Sequence, residues 1–550
     1  MEATSHVSSP MTQSDLDSRP RLGSPGPSIV PSTPDSMIEE VGVQLRAAIA
    51  EQDWRRAVVL IGTHWSALLD EPGERLDDAL RAVPLDAFSL DSRAAAVRDI
   101  RLHSSADAVD RMLGDVAVPD AKDVSTLESL ARSERALSLL GVVSSRMIAF
   151  RVRGRLARAT QLAELVERFG RIAAVHQPAL VADRLPAALL QVGITRGLAD
   201  DIPGALISLR DAYERGPTAR VQYVRRDAAG KSAFFLALTG EVDQAQRWLE
   251  RHDEAPAVEG WFGPRIALTT DVARSLIATE GLRRDAAEDA LGRLEQYVNA
   301  EQSWGPGVTF ARARHALAWG DRLGAIEMVR SDRQHYAEWL GESSVLGPLL
   351  VQAEAELLLS AGQAQRARHV IGADRSQPAV AVAEARIELI SGSFERAARH
   401  AASVLGKPLT TRTRIDALAI LAVAQSRLAE PDAAASQTAA HLRDAIEGSG
   451  LRLAGLAVPR DDRRGLGLEP DDGGHGARDP FTVVAQRIRI TRQQSVVLHG
   501  LEKGWSLREI ATAEHLSLNT MKTHARGLYR RLGATNRDEA IARAYDAGLL

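Results

Sequence analysis

The chain has no cysteine. That excludes disulfides, thiolate metal sites and thiol nucleophiles. Aromatic residues are scarce, at 4% of the 550 residues. Strictly alternating β-branched runs are missing too, which argues against sheets and against the alternating strands of a phosphorylation-receiver domain. No stretch approaches the roughly 20 apolar residues that a membrane helix needs. The opening "MEATSHVSSPMTQSDLDS" has no basic start and no apolar run, so no secretory leader is expected. The 14 histidines are scattered, without HExxH or paired-ligand spacing, and no metal is expected. No serine sits in a nucleophile-elbow context. Acidic side chains are dense along the chain and read as solvated faces rather than catalytic pairs. Neither enzymatic chemistry nor a cofactor is anticipated.

What remains is Ala, Leu and Arg, which favour helix. Charge is unevenly placed. The net charge is −4, yet from Phe481 onward 11 Lys/Arg stand against 6 Asp/Glu, giving +5 there and −9 elsewhere. A basic end on an acidic body suits an anionic partner for that end.

Two stretches break the helical pattern. Residues 1–36 are rich in Ser, Pro, Asp and Gly and read as disordered. Residues 459–480, "PRDDRRGLGLEPDDGGHGARDP", read as a flexible linker. Between them, residues 37–458 show apolar spacing of three and four throughout.

One signature recurs in that body: a turn residue, then Ala five positions later. It appears as Gly154/Ala159, Asp200/Ala205, Gly240/Ala245, Gly281/Ala286, Gly320/Ala325, Gly362/Ala367, Gly392/Ala397 and Glu430/Ala435. The turn residue ends one helix in the left-handed region, and Ala lets the next helix approach closely. Each hairpin alone cannot bury its apolar face, so neighbours must stack. This small-residue pattern resembles a tetratricopeptide-type α-solenoid with a longer unit.

A second repeat places Trp261, Trp304 and Trp339 shortly before Pro264, Pro306 and Pro348, with the prolines 42 residues apart. Proline suits the first turn of a helix. The three tryptophans either fill gaps between repeats or line a rim that binds an effector; the first reading is the simpler. "AAGKSAFF", with Gly230, Lys231 and Ser232, imitates the end of a phosphate loop. The earlier glycine of that loop is Arg225 here and no strand precedes it, so ordinary helix is expected.

The C-terminal segment is where function concentrates. Four helix starts are expected there: Thr491 with Gln494, Ser506 with Glu509, Ser517 with Thr520, and Asn536 with Glu539. On the third helix Leu518, Met521, Ala525, Leu528 and Leu532 share one face, while Lys522, Arg526 and Arg530 share another. Two short helices joined by "HLS", the second cationic, predict a helix-turn-helix entering a DNA major groove.

The motifs "GWSLREIA", "LSLNTMKTH", "LYRRLGATNRDEA" and the final "AGLL" resemble the LuxR-type DNA-binding domain. The resemblance covers only the C-terminal segment, and implies a four-helix fold over residues 481–550. It also implies base contacts from Lys522, Thr523 and Arg526, and phosphate contacts from Ser517, Thr520 and Arg530. Arg531 and Arg537 are weaker candidates for phosphate. The fourth helix can pair two copies on a two-fold site. Departures are Gln493-Gln494 where the family has Arg-Glu, Met521 for Val, and Glu514 for a buried Leu. A buried Glu514 would cost several kcal/mol in order of magnitude unless it turned outward or met Arg508. The layout resembles large MalT-like regulators without their ATPase module.

The expectation is an all-α protein, a helical-repeat solenoid followed by a four-helix DNA-binding domain. It would act as a cytoplasmic, nucleoid-associated bacterial transcription regulator. Partners would be double-stranded DNA, a second copy, RNA polymerase, and a small-molecule or protein effector held by the repeats; no membrane is involved. The rival reading is a repeat scaffold whose last domain contacts protein, such as polymerase, and a degenerate ATPase is a distant third.

Overall fold

A computed structural model describes residues 34–550 except 70–72, 92–93, 96–97, 99–118, 220–222, 259–261, 298–301, 342, 373–375, 429–432, 469–475, 482–489 and 547–548. Of residues 1–36, expected to be disordered, 1–33 lie outside the described residues and 34–36 instead form the start of a helix. Helices make up the described chain, with no strand among the described residues. No helix among them is long and apolar enough to cross a membrane.

The first helices are α1 (Pro34–Ala50), α2 (Trp54–Leu69), α3 (Gly73–Ala82) and α4 (Val124–Ala131). Then come paired helices: α5 (Ala136–Val152) with α6 (Leu156–His176), α7 (Leu185–Leu198) with α8 (Ile202–Arg215), and α9 (Tyr223–Thr239) with α10 (Val242–Glu254). The series continues through α11 (Phe262–Glu280) with α12 (Arg284–Leu294), α13 (Gly305–Ala318) with α14 (Arg322–His335), and α15 (Leu346–Ser360) with α16 (Ala364–Ile371). It ends with α17 (Pro378–Ile390) paired to α18 (Phe394–Leu405), and α19 (Thr411–Leu428) paired to α20 (Ala433–Ser449).

The turn-plus-alanine signature maps onto these hairpins. Gly154, Asp200, Gly240, Gly362 and Gly392 all have positive φ, between 67° and 89°. Ala159, Ala205, Ala245, Ala367 and Ala397, five positions on, are each 0% exposed. Two repeats depart: Leu282 takes the positive φ and Ala287 is buried, not Gly281 and Ala286, and Gly320 turns without a positive φ although Ala325 is buried. An earlier copy was not legible, because its turn residue is Gln52 (φ 57°), followed by Ala57 at 0% exposure. Glu430 lies outside the described residues.

The two helices of a hairpin differ in kind. In α9 every residue but Arg225 and Arg226 is buried. In its partner α10 only Ala245, Trp248, Leu249 and His252 are buried. That is the single stripe of an outer-layer helix, whereas a helix buried all round belongs to an inner layer.

Successive turns of the winding touch. Trp339 donates its ring N–H to the Val152 carbonyl at 3.1 Å, and the Val345 N–H donates to Leu198 at 3.1 Å. Arg412 donates to the carbonyls of Leu238 at 3.0 Å and Ala237 at 2.9 Å. Gly154 sits at such a seam: a Cβ there would meet the Glu338 carbonyl oxygen at 2.4 Å.

The enclosed space is filled with charge. Glu280 accepts from Arg314 at 3.0 Å and also pairs with Arg412. Arg314 reaches Glu356 at 3.2 Å, Glu356 meets Arg386 at 3.1 Å, and Arg386 meets Asp416 at 2.8 Å. Gln352 donates to both Glu356 (3.0 Å) and Asp416 (3.1 Å). Every member is buried. Burial pushes the Glu280 carboxyl upward, but Arg314 and Arg412 outweigh it and hold it below the usual carboxylate range. The reading of acidic side chains as solvated faces is therefore corrected for Glu280, Glu356 and Asp416. Three guanidiniums against three carboxylates leave the cluster neutral, which is how charge persists in a core.

Residues 459–468 and 476–480, expected as free linker, pack on the array instead, and Phe481, expected to open the C-terminal domain, is buried in the array's core. Their charges explain it. The Asp462 carboxylate accepts from Nε and Nη2 of Arg427 at 2.6 and 3.1 Å, and Arg463 meets Asp479 at 2.6 Å. Composition showed that these residues build no core of their own; it did not show that they find partners in another.

Candidate nucleic-acid interface

The last helices are α21 (Arg492–Glu502), α22 (Leu507–Ala513), α23 (Leu518–Leu532) and α24 (Arg537–Asp546). Their starts are held as the sequence indicates. The Gln494 N–H donates to Thr491 Oγ1 at 3.2 Å while Gln494 Oε1 accepts from the Thr491 N–H at 3.0 Å. Ser506 and Glu509 make the same reciprocal pair. That bond to the Ser506 N–H holds the Glu509 carboxyl below its ordinary range. Ser517 Oγ accepts from the Thr520 N–H at 3.1 Å. Asn536 accepts from the Glu539 N–H at 2.9 Å, but Glu539 returns to Thr535 rather than to Asn536.

A small core locks the four helices. It contains Val497, Leu498 and Leu501 of α21, Ile510 and Ala511 of α22, Met521, Ala525, Leu528 and Leu532 of α23, and Ala540 and Ala544 of α24. Met521 is 0% exposed and fills the place expected of Val. The apolar face read from the sequence is therefore the buried one, except that Leu518 is only half-buried.

Two glycines set the crossings, and sequence reasoning missed both. A Cβ on Gly500 would strike Ile510 Cγ1 at 2.5 Å, and one on Gly527 would strike Gln494 Nε2 at 2.8 Å. Their positions inside helices were the available signal, since such a glycine costs stability unless backbone must approach closely.

Glu514 is exposed and ends α22. His515 follows with φ 55°, and the Leu516 N–H closes the turn on the Ala511 carbonyl at 2.9 Å. Of the outcomes open to Glu514, the outward one is found: α22 stops before it, so the side chain never enters the core.

Opposite the core, Lys522, Thr523, Arg526 and Arg530 are exposed. With 1.5 Å rise per residue, the three cations at four-residue spacing span about 12 Å. That compares with a major groove of about 12 Å. No acid lies on α23. The Thr523 hydroxyl donates to its own helix at Asn519 (3.0 Å), which leaves its methyl as the distinctive contact. Ser517 and Thr520 sit exposed at the helix start, their hydroxyls 2.8 Å apart. Arg531 reaches back to Gln494 Oε1 at 3.3 Å, and Arg537 donates to the Leu501 carbonyl. These two cations tie helices together.

The tryptophans fall elsewhere. Trp304 is 1% exposed, its ring 5.4 Å from Phe234, with the Lys231 ammonium 4.8 Å from its centroid. It stands in the core, not on a rim. Trp339 is half-buried at the seam described above, and Trp261 lies outside the described residues. Gly230, Lys231 and Ser232 lie within α9, with Lys231 buried against Asp227 at 2.7 Å and Thr269 at 3.0 Å. Amides inside a helix are spent on its ladder and cannot cradle a phosphate.

A capped pair of helices at a tight turn, the second with an exposed cationic face, defines a helix-turn-helix module. Residues 489–544 match the family described as "Bacterial regulatory proteins, luxR family" (GerE), whose members are generally DNA-binding transcription regulators. A search of curated proteins finds no match to the chain.

Proposed function

We propose that the protein is a transcription regulator in which α23 enters the major groove of promoter DNA. Lys522 and Arg526 donate to guanine edges, and Thr523 offers its methyl to thymine. Ser517, Thr520 and Arg530 hold phosphates and set register, assisted by the free N–H groups that start α23. Arg531 is a secondary phosphate contact, because it shares its guanidinium with Gln494. The observation that carries this reading is the exposed Lys522–Arg526–Arg530 row on a helix whose other face is the domain core.

In this reading α24 pairs two copies on a two-fold site, and the solenoid, a tetratricopeptide-like array, takes a small-molecule or protein effector. The array offers a cleft of about 1020 Å³ for that purpose, lined among others by Arg330, Arg333, Leu340, Val351, Val370 and Val380. RNA polymerase is a further partner, and the working compartment is the cytoplasm, at the nucleoid.

The test is direct. The full chain is titrated with sheared genomic DNA across a salt series, and enriched fragments are sequenced. Binding is expected to weaken steeply with salt. Lys522→Ala and Arg526→Ala should each cost roughly 1–3 kcal/mol on the enriched sequence and relax its preference. A folded chain that retains no fragment at low salt would overturn the proposal.

A further inference from the structure

Residues 476–481 contact the array as a peptide contacts a receptor. The Arg478 N–H donates to the Ala318 carbonyl at 2.9 Å. Arg322 donates to the carbonyls of Arg478 and Asp479, each at 3.2 Å. The Asp479 carboxylate meets Arg463 at 2.6 Å, and Arg463 is itself fixed by the carbonyls of Leu456 (2.6 Å) and Val458 (2.8 Å). Pro480 follows. Phe481 then enters the main core of the array, 2% exposed, with the Arg386 guanidinium 5.0 Å from its ring centroid. Arg386 is held in place by Glu356 and Asp416.

The receptor side is therefore built, and its recognition chemistry can be stated. Arg322 reads main-chain carbonyls and demands no particular side chain. Arg463 reads a carboxylate. The pocket capped by Arg386 reads an aromatic ring two residues later, by burial and by a cation over its face. Proline between them suits an extended segment, since it fixes φ and needs no donor.

We propose that this surface is a docking site for a partner protein that presents an acid–proline–aromatic segment, and that the chain's own Asp479-Pro480-Phe481 occupies it in the partner's absence. The inference goes beyond the DNA-binding reading and does not depend on it. The occupant is the argument for the partner's chemistry: the site already selects that tripeptide from its own chain.

A segment tethered in the same chain competes at an effective concentration of order millimolar. The experiment therefore empties the site first. A fluorescent peptide of residues 476–481, Gly-Ala-Arg-Asp-Pro-Phe, is titrated against the full chain and against full-length Phe481→Ala, with binding read by polarisation. The peptide should bind Phe481→Ala at least tenfold tighter than the wild-type chain. Peptides with Asp replaced by Asn, or Phe by Ala, should lose at least tenfold on the same variant. Thermal melts establish that the variant is folded. Where Phe481→Ala does not fold, Phe481→Leu fills the pocket less well and should bind the peptide more tightly than wild type. A folded variant that takes the intact peptide no better than its Phe-to-Ala version overturns the proposal, whatever the chain does with DNA.

Discussion

His252 makes the array's stability fall with acid below the ordinary histidine range, alongside His315, whose pKa burial also lowers. The ring lies on the buried stripe of α10, 2% exposed, and its Nδ1–H donates to the Arg226 carbonyl at 3.0 Å. Burial, with the Arg226 guanidinium adding to it, pushes its pKa down to about 4. Unfolded histidine titrates near 6.5. Between those values the unfolded chain binds the proton and the folded one does not, so stability falls as pH drops from about 6.5 to about 4. The separation, at 1.36 kcal/mol per unit, amounts to about 3 kcal/mol. Glu280 acts in a different window. Its folded pKa is depressed, so its contribution is full above the unfolded value near 4.3 and is lost only as pH falls further. Urea unfolding from pH 7 to 4.5 at fixed salt, followed by hydrogen exchange of α9 and α10, isolates the histidine. The variant His252→Asn keeps an N–H donor near Nδ1 and cannot titrate. Wild type should lose stability steadily over that range while the variant's curve stays flatter by about 2 kcal/mol at the acidic end. Equal slopes in both proteins would refute the reasoning.

Three other perturbations probe different parts. Arg530→Ala should weaken DNA binding about equally on all sequences and reduce the salt slope by roughly 0.9, whereas Arg526→Ala should also reorder sequence preference; a competition assay on a sequence library separates them. Gly500→Ala forces a methyl against Ile510, so overpacking should cost about 1–3 kcal/mol and lower the melting temperature of the C-terminal module. Glu280→Gln leaves Arg314 and Arg412 facing a neutral amide in the interior, and a loss of about 3–5 kcal/mol is expected in urea unfolding of the array.

The hairpin rhythm was legible because one backbone requirement recurs. Most of these hairpins turn back through a left-handed residue followed by a small one, and Gly or Asp advertises the first; the turn at Gly320 does without it. Gln52 and Leu282 adopt the same conformation without advertising it, so one hairpin was missed and another displaced by a residue. Capping residues in α21–α23 were readable for a similar reason: the interaction is local, between residues three apart. The buried charge cluster was not readable. Its members Glu280, Arg314, Glu356, Arg386, Arg412 and Asp416 come from five different helices, and only the winding brings them together. Trp304 shows the same limit. A tryptophan before a proline marks a helix start, but whether that start faces solvent or Phe234 depends on the next hairpin.

That winding also bears on where control could enter. An open solenoid offers its concave face to a partner. Here inner helices such as α9, α15 and α17 are buried on nearly every side, and successive turns bond to each other through Trp339, Val345 and Arg412. A ligand on the concave face would have to break those bonds and expose Glu280 and Arg386 together, each costing several kcal/mol as an unpaired buried charge. The strap at Arg478–Phe481 imposes no such penalty. Its contacts are with carbonyls, one half-exposed carboxylate and one ring, and an incoming segment of the same chemistry replaces each of them in kind. The bonds broken equal those formed, so what an incoming segment has to overcome is the tether's effective concentration, of order millimolar, by binding more tightly. An element poised in that way, joined directly to the module that bears Lys522 and Arg526, is a more economical point of control than the closed interior of the array.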